Sequence, residues 1–81
     1  IKWWYILKIS ELQDKTVVNV NDGKNLGNIV DLEINNEGRV INFTCLPRRH
    51  IFRLFISNKE TIFKMEDIKK IGEDVILVEI N

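Results

Sequence analysis

Between Val17 and Pro47 the chain alternates short runs rich in Val and Ile with two clusters of turn formers. These are Asn21-Asp22-Gly23-Lys24 and Asn35-Asn36-Glu37-Gly38. Gly supplies the positive φ that tight turns need, and Asn and Asp tolerate it or bond their own backbone. The pattern predicts a three-stranded antiparallel meander. In its second strand Leu26, Asn28, Val30, Leu32 and Ile34 share one face, and Ile29, Asp31 and Glu33 share the other. The mainly apolar set is expected on the core and the carboxylates in water. In the third strand Ile41, Phe43 and Cys45 are expected inward, although Val40 and Leu46 interrupt the alternation.

The flanks carry shorter signals. In residues 1–9, Trp3, Tyr5, Leu7 and Ile9 fall on one face at period two, which predicts a strand. Ser10-Glu11-Leu12-Gln13 has the spacing of a capping box and predicts one helical turn beginning at Ser10. After Pro47 ends the meander, Arg48-Arg49-His50 reads as a loop and Ile51–Ile56 as a strand. A turn over residues 57–60 and a short strand at Thr61-Ile62-Phe63 follow. Met65, Ile68 and Ile71 recur every three residues, predicting one or two helical turns with Lys69 and Lys70 exposed. Val75–Ile80 is the most strand-like run and is expected to lie centrally. Regularly spaced short strands with turns between them predict a mainly β protein, a small closed barrel of about six short antiparallel strands. Closure would also hide the edges of such apolar strands.

Composition narrows the function classes. The 81 residues allow one domain, which buries only about 60–65% of its unfolded surface. Twelve basic and twelve acidic residues cancel, so the broad positive footprint of a dedicated nucleic-acid binder is missing. The single cysteine, Cys45, has no internal disulfide partner and reads as a small buried apolar side chain in a reducing cytoplasm. The apolar opening is far shorter than the ~20 residues of a spanning helix and has no small-residue cleavage site, so membrane insertion is not expected.

Candidate chemistry is sparse. Gly23 and Gly27 flank a hairpin, where a phosphate-binding fingerprint would need glycines leading into a helix. Residues 19–33 lack the ligand order of a calcium loop, and one His with one Cys makes no zinc site. A Cys45–His50 nucleophile pair has no evident orienting acid. Asp31 and Glu33 lie on one strand face, where a solvated surface explains them better than acid–base catalysis. No catalytic residue, cofactor or metal is expected. Arg48, Arg49, His50 and Arg53 form the one positive cluster: a solvated loop, or a contact for RNA phosphates or an acidic protein. Phe52 and Phe55 could add stacking, though core packing explains them more simply. Trp3, Trp4 and Tyr5 have two readings, as interface anchors or as residues foreign to the native protein.

From Leu7-Lys8-Ile9-Ser10-Glu11-Leu12-Gln13 through Asp22-Gly23-Lys24-Asn25-Leu26-Gly27-Asn28-Ile29-Val30-Asp31-Leu32-Glu33-Ile34, the chain resembles a PRC-barrel domain. It is most similar in pattern to the YlmC/YmxH group of short sporulation-associated proteins of spore-forming Firmicutes. The Gly38-Arg39 turn and the closing run from Glu66-Asp67-Ile68 to Val75-Ile76-Leu77-Val78 extend the resemblance over about residues 7–80. It implies a small β-barrel of the kind also found in the photosynthetic reaction-centre H subunit and the carboxy-terminal domain of RimM. Two places depart from the group's pattern: Lys64-Met65 stand where a Pro-Trp is usual, and Arg48-Arg49-His50 replace a Gly-rich loop. Short members of the group begin with Met where Leu7 stands, so residues 1–6 are expected to be an upstream extension and residues 7–81 the domain.

The resemblance implies a non-catalytic, cytoplasmic interaction module connected with sporulation and binding another protein. An RNA- or ribosome-associated factor, by analogy with RimM, is the alternative, and homo-oligomers are compatible with either. Partner binding is expected after the meander, at Arg48, Arg49, His50, Arg53, Lys64 and Met65.

Overall fold

The computed structural model describes residues 8–47 and 60–81. A short helix, α1 (Ile9–Gln13), leads into β1 (Thr16–Asn19), β2 (Asn25–Ile34) and β3 (Val40–Leu46). After these come β4 (Thr61–Phe63), a 3-10 turn (Met65–Asp67), β5 (Ile68–Ile71) and β6 (Val75–Val78). The six strands form one sheet in the order β4-β3-β2-β1-β6-β5. Of the expected strand over residues 1–9, residues 1–7 lie outside the described residues, while Lys8 and Ile9 cap and open α1 instead. The expected strand Ile51–Ile56 also lies outside the described residues.

The predicted meander is present: β1 pairs with β2 and β2 with β3, both antiparallel, and β4 extends it on β3. Local chemistry shapes both turns. Asp22 Oδ1 accepts the Lys24 amide at 2.9 Å, and Gly23, at φ 72°, donates its own amide to the Asn19 carbonyl at 2.7 Å. At the second turn, Asn35 Oδ1 accepts the amides of Glu37 and Arg39 at 2.9 and 3.0 Å. Both are side chains substituting for backbone acceptors, the known use of Asn and Asp in turns.

Two features of the expected barrel need correction. The strands are not all antiparallel, because β1 runs parallel to β6 with Thr16 opposite Val75 and Asn19 opposite Val78. Short hairpins force antiparallel pairing only between consecutive strands; β1 and β6 are joined through the rest of the chain, which leaves their relative direction open. The sheet is also not closed: among the described residues it ends on β4 and β5. Those ends are blunted rather than joined. β4 is three residues long, and β5 carries exposed Lys69 and Lys70, two of the usual defences of an open edge.

Bulges revise the expected faces. Ile29 pairs with Cys45 and Asp31 with Thr44, so Val30 is an extra residue in β2 and is turned outward. Ahead of it Gly27 and Ile29 are buried; after it Leu32 packs on the core. An inserted residue reverses strand parity. The expected inward set Leu26, Asn28, Val30, Leu32 and Ile34 is thus right only for Leu26 and Leu32. Asp31 and Glu33 are exposed, as expected. In β3, Phe43 and Cys45 are buried, but Ile41 is a second extra residue, between Val40 opposite Ile34 and Asn42 opposite Glu33.

The core consists of Val17, Ile29, Phe43, Cys45, Phe63, Ile76 and Val78, each fully or almost fully buried. Each such side chain contributes on the order of 1.5–3 kcal/mol through removal from water. The run Val75–Val78 forms an interior strand, β6, between β1 and β5, although it lies next to the edge of the sheet and not at its centre. Among the described residues one polar side chain joins this core. Asn19 is 4% exposed, and its Oδ1 accepts the amides of Asn21 and Ile80 while its Nδ2 donates to the Ile80 carbonyl at 3.0 Å. The buried amide is therefore satisfied, and it ties the segment after β6 to the end of β1.

The helical expectations shift. In α1 the cap is Lys8, whose amide donates to Glu11 Oε1 at 2.8 Å, so Glu11 fills the role expected of Gln13. The periodic Met65, Ile68 and Ile71 do not make a longer helix. Only Met65–Asp67 turn, and Ile68–Ile71 pair with β6. The Glu79 amide donates to the Asp67 carbonyl at 2.9 Å, so tertiary pairing ends the turn after one cycle.

Candidate functional site

At one end of the sheet the β2–β3 turn meets the segment leaving β4. Asn35 fixes the first of these, as described above. The second is fixed by Asp67, whose Oδ2 accepts the Lys64 amide at 2.8 Å while its own amide donates to the Lys64 carbonyl at 3.0 Å. Between the two lies a shallow, open groove of about 440 Å³, with Glu37, Arg39, Ile41, Asn42, Lys64 and Glu66 among its lining residues. The β3 bulge places Ile41 there and leaves it 41% exposed, a common use of a bulge next to a functional surface. Met65, between two lining residues, is 47% exposed.

The charges around this apolar centre are mixed. Glu37, Arg39, Lys64 and Glu66 are all exposed, and no two of them form an ion pair. The ion pair seen among the described residues is elsewhere, between Lys69 and Glu79 at 3.3 Å. Asn42 Nδ2 donates to Glu33 Oε1 at 2.7 Å, which occupies that carboxylate in a cross-strand contact. Asp31 Oδ1 accepts the Leu32 amide at 2.9 Å. The two carboxylates weighed for acid–base work thus have local partners.

Cys45 is fully buried, and burial pushes its thiol up to about 12. A thiol held neutral at physiological pH is a poor nucleophile. The pH consequence has a definite sign. The fold holds the protonated form, so its contribution is complete below the ordinary value of 9.0 and is lost as pH rises from there through about 12. The loss runs at about 1.4 kcal/mol per pH unit. Denaturant titrations from pH 8 to 11 should show this slope in the parent protein and its removal in Cys45→Ala. A thiol reagent at pH 8 should label Cys45 only after denaturation.

Of the expected binding residues, Lys64 lines this groove, and Met65 is exposed between Lys64 and Glu66 in the chain without lining it. Arg48, Arg49, His50 and Arg53 lie outside the described residues. Sequence reasoning missed Glu37, Arg39, Ile41 and Glu66. The adjacent apolar pair Val40-Ile41, which interrupts the alternation, is the signal that could have marked the bulge. Among the described residues no cluster of three or more His, Cys, Asp or Glu side chains could hold a metal. No helix there is long and apolar enough to cross a membrane.

The open, strongly bulged sheet with one short helix is accompanied by a family match over nearly the whole chain. The sequence profile of the PRC-barrel domain fits residues 6–81, and the chain belongs to that family. Among its relatives is the probable sporulation protein YlmC of Bacillus subtilis, 39% identical over 77 residues that cover 94% of this chain and 95% of the relative. An uncharacterized protein of Clostridium acetobutylicum is 34% identical over 70 residues, 86% of this chain and 80% of its own length.

Proposed function

We propose that this protein is a non-catalytic PRC-barrel module that docks another protein on the face around the β2–β3 turn and the Lys64-Met65-Glu66 turn. The observation that carries the reading is the bulge at Ile41, which turns an apolar side chain out of the core into the groove that Lys64 and Glu66 also line; exposed Met65 stands between those two in the chain. Exposed apolar residues ringed by charge have the layout of a protein-binding patch, with an apolar centre and a polar rim. The non-catalytic half rests on the candidate groups themselves. Cys45 is buried and neutral, and Asp31 and Glu33 are engaged in local hydrogen bonds. A role connected with sporulation is supported by the similarity to YlmC, itself a probable sporulation protein.

Affinity recovery from cell extract tests the reading. Met65→Glu buries a charge in any interface formed there and should lower partner recovery at least tenfold, equivalent to about 1.4 kcal/mol. Because Met65 is already exposed, its replacement should leave stability within about 0.5 kcal/mol. Lys70→Glu, on the edge strand β5 at the other end of the sheet, should recover the same partners as the parent. Equal recovery by all three proteins would overturn the assignment of the face. Recovery of ribosomal RNA at low salt that vanishes at moderate salt would instead favour a charge-driven ribosomal contact.

A further inference from the structure

We infer that the occupant of this face is a second copy of the same chain, docked about a two-fold axis; the inference rests on the docking face proposed above. The charges point to this partner. The groove carries two acids, Glu37 and Glu66, and two bases, Arg39 and Lys64, so its formal charge is balanced. A balanced rim gives no preference for a uniformly acidic or uniformly basic partner. It does suit itself. In a two-fold contact residue i of one copy meets j of the other while j meets i, so each cation–anion combination is made twice. Arg39 and Lys64 on one copy then face Glu37 and Glu66 on the other.

Two further observations agree. None of the four ions is paired with another of the four within its own chain, so their cross-pairing breaks no contact among them. The chain as a whole has a formal net charge of zero, so two copies approach without long-range repulsion. Ile41 in the groove and Met65, exposed between the lining residues Lys64 and Glu66, supply apolar surface that such a contact covers. For a domain of 81 residues, with little core of its own, covering that surface is a recognised route to added stability.

Sedimentation velocity of the full chain from about 1 µM to 1 mM should show mass rising from 9.6 kDa towards twice that value. The range spans the affinities usual for weak to moderate association. Arg39→Glu/Lys64→Glu makes the rim wholly acidic, and Glu37→Lys/Glu66→Lys makes it wholly basic. Each variant alone should self-associate at least tenfold more weakly than the parent, and an equimolar mixture should recover a one-to-one complex. Circular dichroism checks that both are folded; Met65→Glu, which leaves the four rim residues in place and buries a charge at the contact, should likewise weaken self-association at least tenfold. A parent chain that stays monomeric throughout would overturn the inference. So would a dimer unaffected by both charge reversals and by Met65→Glu. If the chain is monomeric while extract partners still depend on Met65, the docking face stands and only the second-copy assignment fails.

Discussion

Replacing Gly27 by Ala should destabilise the domain by more than about 4 kcal/mol, a loss large enough to unfold a protein of this size. Two effects combine at this position. Gly27 has φ 95°, a region that L side chains rarely adopt, so a methyl group there is strained by roughly 1–3 kcal/mol. A Cβ at Gly27 would also run into the Leu46 carbonyl and approach the Pro47 nitrogen to 2.6 Å. Those are backbone atoms at the end of β3, which move only if the β2–β3 pairing moves. The two turn glycines provide the control. Gly23 and Gly38 also have positive φ, but a Cβ on either meets nothing within 4 Å. Gly23→Ala and Gly38→Ala should therefore cost only the conformational strain, about 1–2 kcal/mol. Urea denaturation of the three variants decides the matter: equal losses would show that close packing of β2 on β3 is not what demands Gly27.

Phe63→Ala should cost about 3–5 kcal/mol. The Phe63 ring is fully buried and stacks on Phe43 with centroids 5.1 Å apart and planes inclined by 22°. Strand β4 has only three residues, and Phe63 is its one buried side chain. Its loss removes both the transfer energy of the ring and the anchor that places Lys64, Met65 and Glu66 beside the β2–β3 turn. Amide exchange in β4 should consequently accelerate more than in β6, and partner binding should fall with it. Ile62→Ala in the same strand is the comparison. Ile62 is 56% exposed, and its truncation should change stability by less than about 0.5 kcal/mol. Similar costs for the two substitutions would mean that the ring stack does not hold β4.

These sensitivities follow the division between what local sequence encodes and what only packing determines. The two turns of the meander were legible because Asn35, Asp22, Gly23 and Gly38 act on their immediate neighbours. The interior position of β6 was legible from Val75-Ile76-Leu77-Val78, since an unbroken apolar run suits a strand covered by neighbours. Parity along β2 and β3 was not. Val30 and Ile41 are each inserted against a partner strand, and alternation within one strand carries no record of its neighbour's register. Likewise nothing local sets β1 parallel to β6. The Met65, Ile68 and Ile71 spacing does fit a helix, but pairing of Ile68 and Ile71 with β6 is worth more than continuing it. For the candidate site, the departure from the family pattern at Lys64-Met65 was visible directly. The part built by Glu37, Arg39 and Ile41 depended on the unseen bulge, so it emerged only with the fold.

If binding resides on the face containing Ile41, a probe placed there should capture the partner. In-cell photocrosslinking tests this most directly, with a photoreactive residue placed at position 41 in one strain and at position 70, on β5, in another. Position 41 should yield protein adducts, at the mass of two chains if the partner is a second copy, and position 70 should yield none. Adducts from position 70 alone, or none from position 41, would contradict it.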